Sequence, residues 1–261
     1  MKTTVARSGF VLPSIQSVSL IELDEAPLSA CALPEACFAV GTSSGRLLVF
    51  QSEGDLLGVS EFGSSIIGLV ASGDSVVAAT SLDGVTALQG EPKWTVDVAA
   101  GCEIIVSSGD GVLLADGAGA VSHMSSEGEM LGREVHGEVT GLASNADGSV
   151  TAIALSNGRL LIIEQNGGTL HDSAAADDDV ETISWMEFRH DGVLMVCRDS
   201  LGMTLDERPE NRLECWHPQN GLIHTTELPS RTTSLLPTEN GALVGCFDGS
   251  IIRLEVGSKD Y

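Results

Sequence analysis

The sequence predicts an all-β protein, a single β-propeller of six four-stranded blades, and three observations predict it. A turn signal recurs at intervals of roughly 35 to 39 residues, a period expected of propeller blades. Ser44-Gly45, Asp83-Gly84, Gly117 to Gly119, Asn157-Gly158 and Asp248-Gly249 each follow one short apolar run and precede another. A second series, Glu53-Gly54, Gly90, Glu127-Gly128, Asn166-Gly167, Asn220-Gly221 and Gly257, runs out of phase with the first. Two interleaved turn series at one period describe a four-stranded unit repeated along the chain. The third observation is negative: no window sustains a 3.6-residue apolar stripe over three turns, so helices are not expected.

Apolar runs bounded by Gly, Asp, Asn and Ser place the strands. Blade one spans residues 26–63, with strands at Leu28 to Leu33, Cys37 to Gly41, Arg46 to Phe50 and Leu56 to Phe62. Blade two spans 64–98, with strands at Ile66 to Val70, Val76 to Ala79, Val85 to Leu88 and Trp94 to Val98. Blade three covers 99–137, blade four 138–180, and blade five 181–230, which carries the one large insertion. Residues 231–256 hold only three strand patterns, Thr233 to Leu236, Leu243 to Cys246 and Ile251 to Val256. The missing outer strand is expected from Ser17 to Leu23, whose pairing with the last blade would close the ring and remove an open edge. The propeller then occupies residues 17–257, between an N-terminal extension (1–16) and a short tail (258–261).

Composition bounds the function. The 261-residue chain is 43% apolar with 30 glycines, but only 4% aromatic, so Val, Ile, Leu and Ala build its core. No apolar stretch approaches the ~20 residues that span a bilayer. Met1 to Arg7 lacks the apolar centre of a secretory signal, so a cytoplasmic protein is expected. The six cysteines stand singly among apolar neighbours without a Cys-x-x-Cys pair, which reads as small buried hydrophobes rather than disulfides or a zinc ribbon. Acids outnumber bases 37 to 13, a formal net charge of −24. Such a field repels nucleic acid and anionic membranes, so neither is an expected partner. It suits either a salty cytoplasm, where screening weakens self-repulsion, or a basic protein partner.

The segment Val77 to Leu88, followed by Pro92-Lys93-Trp94, resembles a quinoprotein-type repeat. Leu213-Glu214-Cys215-Trp216-His217-Pro218-Gln219-Asn220-Gly221 resembles the third strand of a WD40 blade, with His217 in place of the Asp of the Trp-Asp pair. The chain is thus similar to the WD40 and quinoprotein-like β-propellers. The resemblance implies that the connections from fourth to first strand and from second to third strand share one face.

On that face two connections of blade five stand out. One contains Asp177, Asp178 and Asp179. The other is the insertion, about fourteen residues beyond the regular repeat, and insertions of this kind commonly map to a binding face. It supplies apolar anchor candidates, Leu201, Met203 and Leu205, and charged rim candidates, Arg198, Asp199, Asp206, Glu207, Arg208 and Arg212. The competing reading is a tolerated surface loop, since long loops cost little entropy.

Catalytic signatures are missing: no Gly-x-Ser-x-Gly, no Gly-x-x-x-x-Gly-Lys, and no paired-histidine spacing among the six histidines. No cofactor or metal is expected. A calcium site at Asp177, Asp179 and Glu181 lacks the usual loop pattern. Trp94, Trp185 and Trp216 are expected to pack between adjacent sheets. The expected function is a non-enzymatic scaffold binding another protein through one loop face. The alternative is a metal-dependent hydrolase or quinoprotein-like enzyme, or a ligand-binding protein, using the axial funnel that the resemblance implies. A structural subunit of a larger assembly is the third reading.

Overall fold

The computed structural model describes residues 21–174, 181–200 and 211–255, with a short strand β1 at Thr4–Val5. Six antiparallel four-stranded sheets form the blades of a β-propeller; within each the strands pair in chain order, except that the N-terminal β1 joins the sixth sheet beside its last strand. Two compact units divide them.

The first unit, Ser14–Glu138, holds three blades. Blade one is β2 (Pro27–Leu33), β3 (Cys37–Thr42), β4 (Arg46–Gln51) and β5 (Leu56–Glu61). Blade two is β6 (Ile66–Ser72), β7 (Ser75–Thr80), β8 (Gly84–Gln89) and β9 (Glu91–Val96). Blade three is β10 (Cys102–Ser108), β11 (Gly111–Asp116), β12 (Ala120–Met124) and β13 (Met130–Val135).

The second unit joins Val139–Tyr261 to Met1–Pro13. Blade four is β14 (Val139–Ser144), β15 (Val150–Leu155), β16 (Leu160–Glu164) and β17 (Thr169–Ser173). Blade five is β18 (Glu181–Phe188), β19 (Leu194–Ser200), β20 (Asn211–His217) and β21 (Gly221–Leu228). Blade six is β22 (Thr232–Thr238), β23 (Gly241–Cys246) and β24 (Ile251–Glu255), with β1 on the outer edge of β24.

The sixth blade corrects one expectation. Its N-terminal strand is Thr4–Val5, which pairs with Arg253 and Ile252, and not Ser17 to Leu23. Ile21 and Leu23 lie outside any strand and pack against Val40, Leu48 and Phe50 of blade one, where their apolar side chains leave water. Residues 17–20 lie outside the described residues, as do most of the N-terminal extension and the tail.

Central strands explain why simple alternation is weak in this sequence. Every residue of β7 is buried. Val76 and Ala78 join the cluster shared with blade one, whereas Val77 and Ala79 join the cluster shared with blade three. Strand β19 does the same, with Leu194 and Val196 toward blade four and Met195 and Cys197 toward blade six. A strand with a sheet on each face is apolar on both, and each fully buried large side chain contributes roughly 1.5–3 kcal/mol.

No disulfide links the cysteines; Cys102, Cys197, Cys215 and Cys246 are buried and Cys31 and Cys37 half-buried. Trp94 and Trp216 pack between sheets, and each indole N–H is bonded, to Ser126 O and to the Glu214 carboxylate. Trp185 departs from expectation: it is 45% exposed, because a bulge between Ile183 and Trp185 re-aims the end of β18.

The base of the fifth-blade insertion, a candidate functional site

Register fixes where both blade-five connections leave the fold. Glu181 pairs with Ser200, and Arg198 with Arg212. The start of β18, the end of β19 and the start of β20 therefore share one end of the sheet. Residues 175–180 and 201–210 span the two gaps. Asp177, Asp178, Asp179, Leu201, Met203, Leu205, Asp206, Glu207 and Arg208 lie outside the described residues, so the site is built from its roots.

Those roots form a ladder of four charges. Arg198 is 1% exposed. It donates from Nε to Glu214 Oε2 at 2.8 Å and from Nη1 to the Gly158 carbonyl at 2.6 Å, and pairs with Glu181 Oε2 at 3.4 Å. Arg212 completes the ladder, from Nε to Glu214 Oε1 at 2.8 Å and from Nη1 to Glu181 Oε1. Trp216 Nε1 donates to Glu214 Oε2 at 2.9 Å. Each carboxylate thus meets both guanidinium groups, and the charges sum to zero.

Electrostatics follows from that geometry. Burial pushes the Glu214 carboxyl up, but the Arg198 charge and the hydrogen bonds from Arg198, Arg212 and Trp216 outweigh it and hold the group below its ordinary value. Burial works against the Arg212 charge, yet Glu214 and Glu181 raise that guanidinium above its ordinary value. Burying ions costs several kcal/mol each, recovered only when every charge is paired and hydrogen-bonded. The ladder meets that condition, and so holds the three strand ends in one register.

Neighbouring blades are tied in as well. Gly158 belongs to the blade-four turn after β15, so Arg198 bridges blades four and five. The next residue, Asp199, accepts Thr232 N–H on Oδ1 and Oδ2 at 3.2 and 3.3 Å, joining blade five to the start of blade six.

Two rim candidates are corrected. Arg198 and Asp199 are buried, and their charges are consumed inside the fold rather than offered to a partner. Arg212 is mostly buried in the same ladder. Sequence reasoning missed Glu181 and Glu214 as their counterions. A signal existed: the register sets Arg198 directly opposite Arg212, and like charges so placed are destabilising unless carboxylates interleave.

Elsewhere, Asp116 is buried and accepts Ala118 N–H, Ala120 N–H and Arg133 Nη2. It caps the blade-three turn at the edge of a cleft of about 320 Å³. Among the described residues, no group of three or more His, Cys, Asp or Glu is placed to hold a metal ion. Among the described residues, no helix is long and apolar enough to cross a membrane.

Comparison with known proteins supports the fold and stops there. No family model and no curated protein matches the chain. Among solved structures it is similar to the computationally designed Ika8 protein (16% identity, TM-score 0.69, 87% of this chain and 70% of that one). BBS1N in complex with ARL6DN is similar at 14% identity and TM-score 0.68, covering 88% and 78% of the two chains. BamB from Moraxella catarrhalis follows at 15% identity and TM-score 0.56, covering 87% and 85%. BamB and BBS1N are β-propellers, the class this fold defines.

Proposed function

We propose that this protein is a non-catalytic propeller scaffold that binds another protein through the connections rooted on blade five. The carrying observation is the buried Arg198–Glu181–Arg212–Glu214 ladder, which fixes the departure points of both connections on one sheet end. A rigid root lowers the ordering cost that a binding loop otherwise imposes on affinity. One of the similar propellers, BBS1N, was crystallised with a protein partner, ARL6DN. Contact falls to residues 201–210 and 177–179, with Leu201, Met203 and Leu205 as anchors and Asp206, Glu207 and Arg208 at the rim. A net charge of −24 favours a basic partner and a fast, salt-sensitive encounter. Free cysteines suit a reducing, cytoplasmic setting.

The test replaces 201–210 with a short Gly-containing turn, leaving Ser200, Asn211, Arg198 and Asp199 in place. Removing Asp199 as well would break its bonds to Thr232 and confuse binding with folding. Partner capture from lysate by the intact chain and not by the shortened one is the expected result. Equal capture by both refutes the assignment to this loop.

A further inference from the structure

The opposite end of blades five and six carries a groove that the proposed scaffold role does not use. It lies where β18 runs into its turn and β22 approaches its own, lined by Glu187, Phe188, His190 and Leu236 to Glu239, with a volume of about 440 Å³. We infer that this groove binds a lysine side chain presented by a basic peptide segment of a protein partner.

Its walls suit the two halves of that side chain. Leu236 is 59% exposed and stands beside Phe188 and Pro237, an apolar surface for an aliphatic stem. Glu187 and Glu239 supply carboxylates for the ammonium head, and among the described residues neither side chain is held in an ion pair or hydrogen bond. Burial raises the Glu187 carboxyl above its ordinary value, with no cation offsetting it. His190 is the one basic residue of the lining. Arg189, next to the groove in sequence, is 8% exposed and donates from Nη2 to Asp191 Oδ2 at 2.5 Å and to the Glu239 carbonyl at 3.2 Å. That pairing fixes the turns on either side of the groove without neutralising its carboxylates.

A separate observation also favours a cation. Beyond the bulge, Trp185 and Glu187 lie two residues apart on β18, opposite Cys197 and Met195, and so share one strand face. Trp185 is 45% exposed and lies outside the groove's lining, two residues along the same strand face, where an indole could meet the flank of a bound basic segment. A hydrated divalent ion fits less well, because it wants six or more oxygen ligands and meets an apolar wall here. The strongly acidic chain steers basic partners toward the groove.

The probe is a capped peptide with one lysine between leucines, alongside its acetyl-lysine counterpart, read by tryptophan fluorescence and, for a Trp185→Phe variant, by anisotropy of a labelled peptide. Acetylation should weaken binding roughly tenfold, the scale of one charge-assisted contact. Glu187→Gln and Glu239→Gln should each weaken it several-fold. The 201–210 replacement should leave it unchanged, which separates this groove from the loop surface. Glu53→Gln with Glu91→Gln, both on exposed positions of the first unit, controls for the general acidic field. Equal affinity for the two peptides, or equal weakening by the control pair, would overturn the inference. The glutamine variants are near-isosteric, and circular dichroism verifies that they fold.

Discussion

Arg198→Met tests the ladder directly. The substitution keeps an apolar side chain in place while removing a charge, the donors to Glu214 Oε2 and the Gly158 carbonyl, and the pairing with Glu181. Arg212 then faces two buried carboxylates alone, leaving one net negative charge inside the sheet. Breaking a buried pair from one side costs about 3–5 kcal/mol. For a chain of this size that lowers the melting temperature by roughly 10 °C. The pH dependence has a definite sign. In the native protein Glu214 is held below its ordinary value, so its contribution is present above the unfolded pKa of about 4.3 and lost as pH falls through the folded one. Without Arg198, burial, the largest influence on Glu214, dominates and pushes the carboxyl up. The variant's deficit should therefore be largest near neutral pH and shrink as acid protonates the group. Urea unfolding at pH 7.5 and at pH 5, for Arg198→Met alone and with Glu214→Gln, provides the measurement. Adding Glu214→Gln should recover about 1–2 kcal/mol by removing the unpaired charge. A loss under about 1 kcal/mol, or no recovery in the double variant, would falsify the claim that this network is a buried, mutually dependent unit.

Glycine replacements should separate strain from collision. Gly84 has φ +88°, and an added Cβ would lie 2.2 Å from the Val96 carbonyl, so Gly84→Ala should cost about 3 kcal/mol in urea unfolding. Gly249→Ala, at φ +82° with open space around it, should cost only about 1 kcal/mol, and equal costs would contradict the reasoning. Thiol titration with Ellman's reagent at pH 8 should spare Cys102 and Cys197, both pushed up to about 12 by burial, and Cys215, pushed up to about 11, until the protein unfolds. Rapid native reaction at any of the three would show that its blade opens. Raising KCl from ~0.05 to ~1 M should increase the melting temperature if the excess acid is self-repulsion awaiting screening. An unchanged melting temperature would show that repulsion among the acids does not limit stability.

The fold was legible because turns and strand lengths are local. The expected Arg46 to Phe50 and Ile66 to Val70 are observed as Arg46–Gln51 and Ile66–Ser72, bounded by the same glycine turns. Which N-terminal segment completes blade six was not legible. Ser17 to Leu23 has the better strand pattern, but pairing along β24 is non-local, and blade one offers Ile21 and Leu23 an apolar seat instead. At the candidate site, residue type misled. Arg198, Asp199 and Arg212 flank an insertion and read as loop charges, although each still belongs to a strand whose side chains turn inward. Only the register, with arginine opposite arginine, shows that they need Glu181 and Glu214.

That correction changes where binding energy can come from. At the insertion end of blade five, the strand charges satisfy one another, so they hold the connections in place and have little left to give a ligand. Any affinity there must be supplied by 201–210 and the neighbouring acidic connection. At the opposite end Arg189 Nη2 is bonded to Asp191 and to the Glu239 carbonyl, while among the described residues the Glu187 and Glu239 side chains make no ion pair or hydrogen bond beside exposed Leu236. Burial raises the Glu187 carboxyl above its ordinary value, so a cation bound beside it would favour its charged form. The two ends should therefore respond differently to mutation. Charge removal in the ladder should destabilise the fold, and charge removal in the groove should leave stability intact or improve it while weakening a basic ligand. Stability and binding measured together on Glu187→Gln decide the matter: a variant both less stable and undiminished in binding would show that the groove carboxylate serves the fold instead.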